Sequence, residues 1–164
     1  MKLNKNILTA ALFTVGGFAA VSANAAETAN FGIQATITET CNVDAGSDID
    51  LGNIVAGVTG TTGETATAIK VNCSNLTAYN LGLTTLNNGV MLGGNEGAEA
   101  IPYQMFSDSS NSTLWGNTVG TDTVTGTGDG MLTIPKEHTL YIKADATDVS
   151  QGTYTDTINV TVTY

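Results

Sequence analysis

Apolar and polar residues alternate with a period of two in several stretches of this chain, whereas amphipathic helical spacing is absent. The alternation occurs at residues 31–38, 69–73, 79–83, 103–105, 140–144 and 154–164. Since successive side chains of a β-strand point to opposite faces, each stretch predicts a strand with one buried face. Turn-rich stretches separate them at residues 57–63, 87–97, 108–111 and 126–130. We therefore predict an all-β chain folded as one immunoglobulin-like β-sandwich.

The first 25 residues have the features of a secretory signal peptide. Lys2 and Lys5 precede an apolar run at residues 7–20, and Ala23-Asn24-Ala25 offers the small residues that a signal peptidase accepts. The apolar run is too short for the roughly 20 residues of a transmembrane helix, and no later segment is more apolar. We expect residues 1–25 to be a cleaved signal and the mature chain to have no transmembrane segment.

The charge of the chain excludes nucleic acid as a partner. Arg is absent, and removal of residues 1–25 leaves three Lys residues against 15 acidic residues, a net charge of −12. Such a chain has nothing with which to neutralise phosphates. Low total charge (12% of residues) together with 28 Thr and 19 Gly also favours a β-rich chain over a helical bundle.

Candidate catalytic and metal-binding residues are few. His138 is the only His and has no nucleophile motif near it, so we expect an exposed turn residue. Asp44, Asp48 and Asp50 offer oxygen ligands for Ca²⁺ but lack a complete loop pattern and a closing Glu. Trp115 and Tyr103 are expected in the core rather than on a sugar-binding surface. We predict no enzyme activity, no cofactor and no metal.

Cys41 and Cys73 are the only two cysteines in the chain. In an exported protein, a lone pair of cysteines within one small domain is most simply a disulfide. A metal pair or a reactive thiol is the alternative, but either lacks partners, since no CxxC spacing is present and His138 is the only His. We predict a Cys41–Cys73 disulfide.

The alternating segments at the two ends of the mature chain allow more than one interpretation. The last strand runs to the C-terminus, and residues 26–40 alternate after a free N-terminus. The N-terminal segment could pair within its own domain, or it could add as a strand to the open sheet edge of another molecule. Alternation alone does not distinguish these two possibilities.

Several motifs, in their order and spacing, resemble one known family. They are ATITETCNV (35–43), IKVNCS (69–74), YNLGL (79–83), IPYQMFSDSSNSTLWG (101–116) and the closing QGTYTDTINVTVTY (151–164), which contains Gly-x-Tyr-x-Asp-Thr. Over its whole mature length the chain resembles the spore coat protein U domain family, which includes the pilins of archaic chaperone–usher pili.

The resemblance implies an incomplete immunoglobulin-like domain, residues 41–164, which lacks its last strand. Residues 26–40 would be the donor-strand extension that completes the next subunit. The inward donor residues would be Phe31, Ile33, Ala35 and Ile37, and the acceptor groove would be flanked by the strand carrying Ile158, Val160 and Val162.

The implied function is that of a structural subunit in an adhesive or biofilm-forming surface pilus. Its partners would be copies of itself or sister pilins, a periplasmic chaperone and an outer-membrane usher, in a Gram-negative bacterium. The alternative is a self-contained secreted β-sandwich that binds a glycan or a host protein through its loops.

Overall fold

A computed structural model describes residues 27–58, 62–95, 99–145 and 148–164 of the chain. The predicted signal peptide, residues 1–25, lies outside the described residues. The chain divides into two units, Met1–Thr36 and Ile37–Tyr164. In the first unit, the described residues 27–36 form neither helix nor strand, and every strand below belongs to the second unit.

Nine β-strands and no helices make up the regular structure of the described residues. The strands are β1 Cys41–Asp44, β2 Thr62–Cys73, β3 Ala78–Thr85, β4 Val90–Gly93, β5 Glu99–Phe106, β6 Val124–Thr127, β7 Lys136–Asp145, β8 Tyr154–Thr155 and β9 Ile158–Thr163. They form a six-stranded sheet of order β1-β2-β7-β5-β4-β8 and a three-stranded sheet of order β6-β3-β9. The predicted all-β, immunoglobulin-like sandwich is confirmed. The described residues form no helix that is long and apolar enough to cross a membrane.

The longest pairing in the fold joins β2 to β7. It is antiparallel and runs from Thr62 opposite Asp145 to Val71 opposite Lys136. Residues directly opposite each other share a face of the sheet, so the alternation in one strand is matched by that in the other. Ile69 on β2 and Leu140 and Ile142 on β7 are therefore buried on the same inner face.

The core lies between the inner faces of the two sheets. The three-stranded sheet contributes Tyr79, Leu81 and Leu83 from β3, each at most 2% exposed. Trp115, from the connection between β5 and β6, is 2% exposed, and its indole Nε1 donates a hydrogen bond to the carbonyl oxygen of Leu81 at 2.8 Å. Tyr103 is also buried. The predicted core positions of Trp115 and Tyr103 are confirmed.

His138 lies within β7 and is half-buried, so its predicted position in an exposed turn is wrong. It is opposite Ile69 and on the inner face, because the alternation of Leu140, Ile142 and Ala144 extends back to it. Its Nε2 lies 2.8 Å from the Tyr79 hydroxyl, and the two rings pack edge to face. This contact joins the two sheets.

Burial, and then the charge of Lys136, lower the pKa of the His138 imidazole below its ordinary value of 6.5. The folded protein thus favours the neutral ring, whose Nε2 can accept a hydrogen bond from the Tyr79 hydroxyl. In the unfolded chain the imidazole takes up a proton at a higher pH than in the folded chain.

We expect the free energy of unfolding to fall as the pH drops below about 6.5, the pKa of His in an unfolded chain. The contribution is fully present above that pH and is lost as the pH approaches the lowered folded-state pKa. Urea unfolding at pH 7.5 and 5.5 measures the loss. The variant His138→Gln, which does not titrate, should lose less stability over the same interval, and an equal loss in both proteins would contradict the assignment.

Candidate functional site

The last strand, β9, forms one edge of the three-stranded sheet. It pairs with β3 along one side, from Thr85 opposite Ile158 to Asn80 opposite Thr163. On its other side β9 pairs with no strand of the described residues. An unpaired edge leaves a row of backbone N–H and C=O groups available to another strand.

The inward side chains of β9 are less buried than their neighbours in the same sheet. Val160 and Val162 lie opposite Leu83 and Leu81. Leu81 and Leu83 are almost fully buried, whereas Ile158, Val160 and Val162 are only half-buried although they pack against the same core. The core is therefore less completely covered at β9 than one strand further in.

A cleft of about 470 Å³ opens beside the first half of β9. Ile158 and Val160 form one side of it, and residues of β2, β4, β5 and β7 form its floor; Val162 does not line it. The floor residues are Thr67, Ile69, Met91, Tyr103, Leu140 and Ile142. The cleft thus presents an apolar surface next to an unpaired strand edge.

The segment that follows β1 forms the other side of the cleft. Ile49 and Leu51 line the cleft and pack against the core, with Ile54 also packing there. Asp44 and Asp50 each accept a hydrogen bond from the backbone N–H two residues later, at 2.9 and 2.8 Å. Their carboxylates therefore stabilise turns. Within the described part of the chain, no group of three or more His, Cys, Asp or Glu residues is arranged to hold a metal ion.

Gly46 allows this segment to approach β2 closely. Its φ is +78°, and a Cβ there would lie 2.9 Å from the carbonyl oxygen of Ala68. A residue with a side chain would be both strained and obstructed at this position.

One end of the cleft is polar and is organised by Asp156. This residue lies where the chain passes from β8, in the six-stranded sheet, to β9, in the three-stranded sheet. Its Oδ2 accepts the Tyr103 hydroxyl at 2.8 Å. Its Oδ1 accepts the side-chain and backbone N–H groups of Asn87 at 2.9 and 3.2 Å and the backbone N–H of Thr157 at 2.7 Å.

The same network shifts the ionisation of Tyr103. Burial, followed by the hydrogen bond and the charge of Asp156, raises the pKa of the Tyr103 phenol far above its usual value. Tyr103 therefore remains a hydrogen-bond donor to Asp156 at all physiological pH values.

The other residues of the Gly-x-Tyr-x-Asp-Thr motif anchor the approach to this crossing. The Tyr154 hydroxyl lies within hydrogen-bond distance of two acceptors, Glu99 Oε2 (3.0 Å) and the Ser150 carbonyl oxygen (2.8 Å). Hydrogen bonds lower the pKa of the Glu99 carboxyl, and the largest contribution comes from the Ser150 side chain. At Gly152 a Cβ would lie 2.8 Å from the Cα of Gly94, so the two backbones touch. The motif therefore fixes the place where β9 begins.

The residues interpreted as the donor lie in an exposed segment. Residues 27–40 form no strand. Phe31, Ile33 and Ile37 are 86%, 88% and 92% exposed, and Ala35 is exposed as well. A run of exposed large apolar side chains of this kind is typical of an interaction site.

The predicted disulfide joins Cys41 and Cys73, which are opposite each other in the β1–β2 pair. Immediately before the disulfide, the backbone N–H of Thr40 donates to the Ser74 hydroxyl oxygen at 2.9 Å. The Thr40 carbonyl oxygen accepts hydrogen bonds from the Ser74 hydroxyl at 3.1 Å and from the Ser74 backbone N–H at 2.9 Å. Thr40, at the end of the N-terminal segment, is thus held to the residue that follows β2.

Sequence reasoning missed three contacts: Asp156 with Tyr103, Asp156 with Asn87, and His138 with Tyr79. For Asp156 the signal was available in the closing motif, but a motif does not reveal which distant side chains reach it. For His138 the signal was its place in the alternation of β7.

Together these features define an immunoglobulin-like β-sandwich whose terminal strand forms an unpaired edge beside an apolar cleft. The sequence matches the model of the Spore Coat Protein U domain over residues 27–161. The chain belongs to the Spore Coat Protein U domain family. No curated protein matches it.

A similar fold occurs in the crystal structure of the CsuC–CsuE chaperone–tip adhesion subunit pre-assembly complex from archaic chaperone–usher Csu pili of Acinetobacter baumannii. The two share 20% sequence identity with a TM-score of 0.51. The match covers 79% of this chain and 41% of that chain, so this chain corresponds to less than half of its length.

We expect loss of the disulfide in the double variant Cys41→Ala/Cys73→Ala to lower the free energy of unfolding by about 3–4 kcal/mol, because the bond closes a loop of 32 residues. Urea unfolding of the variant and the wild type measures the difference. The wild type in reducing buffer should match the variant, and equal stability in all three samples would contradict the prediction.

Proposed function

We propose that this protein is a structural subunit of a chaperone–usher surface pilus and that it polymerises by donor-strand exchange. The observation that carries the proposal is the incomplete cover of the core at β9. A strand added beside β9 would pair with the free edge and cover Ile158 and Val160. Membership of the family and the likeness in fold to a chaperone-bound pilus subunit support the same reading.

The extension at residues 26–40 has the properties of such a strand. Phe31, Ile33, Ala35 and Ile37 alternate with polar residues, so a β-strand here would present all four on one face. Burial of Phe31 and of each Ile would contribute roughly 1.5–3 kcal/mol, with less from Ala35. Backbone hydrogen bonds along β9 would add to this.

Head-to-tail addition of this kind gives a filament. Each subunit would donate its extension to one neighbour and receive the extension of another, a heterologous contact that does not close into a ring. A subunit could leave only by unzipping its strand, so the linkage would be long-lived for kinetic reasons.

The unpaired edge also explains the need for delivery partners. Before assembly, an exposed edge beside an apolar cleft promotes non-specific association. A periplasmic chaperone would cover the edge with a strand of its own, and an outer-membrane usher would exchange that strand for the next subunit's extension. The resulting fibre on a Gram-negative cell surface would serve adhesion and biofilm formation.

The proposal predicts a ladder of oligomers on SDS gels of the mature protein co-expressed with its chaperone, and conversion of the ladder to monomer on boiling. Ile33→Asp or Ile37→Asp should abolish the ladder. Loss of one buried Ile alone weakens the contact by roughly 10- to 100-fold, and the carboxylate adds a burial penalty.

Thr36→Asp is the matched control, since it adds the same charge on the opposite face of the strand and should leave the ladder intact. A single monomer band in the wild type, from protein that folds without a chaperone, would contradict the proposal. It would favour a self-contained domain with a binding role for its loops.

A synthetic peptide of residues 26–39 should shorten the ladder when added during assembly. The peptide can donate a strand but has no groove to accept one, so each copy blocks the groove of a subunit. The same peptide with Ile33→Asp should have little effect. Densitometry of the ladder measures the change, and equal action of both peptides would count against specific donor binding.

A further inference from the structure

An apolar groove does not by itself fix the register of an alternating strand. A shift by one residue turns the polar face inward and is strongly disfavoured. A shift by two residues keeps the same face inward, because Phe31, Ile33, Ala35 and Ile37 are all apolar. A donor strand beside β9 therefore needs a further feature that selects one position.

Every strand pair in the described structure is antiparallel, and a donor added beside β9 in the same manner would run opposite to it. One register then aligns the two apolar rows completely. Ile37 lies opposite Ile158, Ala35 opposite Val160, Ile33 opposite Val162 and Phe31 opposite Tyr164.

A charged residue lies at the end of each row. Asp156 precedes Ile158 by two residues at the polar end of the cleft, which it lines. Glu39 follows Ile37 by two residues and therefore has the same facing as the apolar donor residues. In the aligned register Glu39 lies opposite Asp156, at the end of the cleft where the chain enters β9. Both carboxylates then lie outside the apolar part of the cleft, and their mutual repulsion costs less than the burial of either one against an apolar side chain.

Each two-residue slip would place one carboxylate in an apolar environment. A slip toward Asp156 brings Ile37 against the Asp156 carboxylate. A slip in the other direction carries Glu39 opposite Ile158 and into the apolar cleft. Each slip removes a charged group from water with no opposite charge near it.

The Asp156 carboxylate cannot easily move aside to let the donor strand slip past it. Its two oxygens accept four hydrogen bonds, from Tyr103, Thr157 and twice from Asn87. Rotation away from the cleft would leave these donors unsatisfied, including the buried Tyr103 hydroxyl.

We propose that Asp156, held by Tyr103 and Asn87, is a positioning residue that stops the donor strand of the next subunit at a single register, with Glu39 of the donor as its counterpart. The inference rests on the proposed donor-strand exchange. On this proposal, the closing Gly-x-Tyr-x-Asp-Thr motif helps to bind the donor strand and also selects its position.

Pairs of cysteines on the outward faces can measure the register. With Thr161→Cys in β9, the aligned register brings Gln34→Cys opposite it, and the two slipped registers bring Gly32→Cys or Thr36→Cys opposite it. A disulfide needs Cα atoms within roughly 4.4–6.8 Å, so only the pair that lies opposite forms one readily. The full mature chain carrying each pair is assembled with its chaperone, and interchain disulfides are read on non-reducing gels after boiling.

In the otherwise wild-type chain, we expect the Gln34→Cys pair to give at least about tenfold more cross-linked dimer than either other pair, because both slips bury a carboxylate. Asp156→Ala should raise the Gly32→Cys product, because the slip toward position 156 is then permitted. Glu39→Gln should instead raise the Thr36→Cys product. Asp145→Ala, which removes an exposed acid of β7, is the matched control and should change nothing.

Opposite shifts in the two variants cannot result from a general loss of stability, which would lower all three products together. Asp156→Asn, which keeps the volume of the side chain, provides the same test if Asp156→Ala does not fold. An unchanged pattern in Asp156→Asn, or equal yields from the three pairs in the wild type, would overturn the inference and leave donor-strand exchange standing. Absence of interchain disulfide from every pair would instead count against the exchange itself.

Discussion

The antiparallel pairing of β2 with β7 is the constraint on which the rest of the fold depends. It provides the inner face on which β3 packs, and β7 carries β5, and through it β4 and β8, on its other edge. Ile69, Leu140 and Ile142 are placed by this register both in the core and on the floor of the cleft. The surface that would receive a foreign strand is therefore built from the most securely paired strands of the domain.

The inward residues of β9 are less buried than those of β3, the strand beside it. Along β3 the inward residues are buried almost completely, and one strand further out, on β9, they are half-exposed. Asp156 marks where this edge begins, and its hydrogen bonds to Tyr103 and Asn87 connect the edge with β5 and with the turn after β3. The domain thus combines an open apolar strip with a rigid polar boundary.

Period-two alternation located the long strands of the domain, but the strand predicted at residues 31–38 is absent, because those residues bury no face against the core. The stretches around Ile69, Leu81, Leu140 and Val160 are strands, because each buries one face against the core. The short strand β4 lies inside a stretch interpreted as turn-rich, since it is defined by backbone pairing with β5 and β8 rather than by its own pattern. At the site, the apolar face of β9 was predictable from alternation. The hydrogen bonds of Asp156 with Tyr103 and Asn87 were not, because these two partners are more than 50 residues away in sequence.

The tie between the N-terminal segment and the domain has a mechanical consequence. A pull on the segment enters the fold at Thr40, where Ser74 holds the backbone, and passes through the Cys41–Cys73 bond directly into β2. The residues between the two cysteines, which include almost all of β2, are bypassed, so such a pull need not unravel them. In a fibre assembled as proposed, covalent bonds would carry the load from the extension to the end of β2, and resistance to extension would rest on the pairing of β3 with β9 and on the non-covalent grip of β9 on its neighbour's strand.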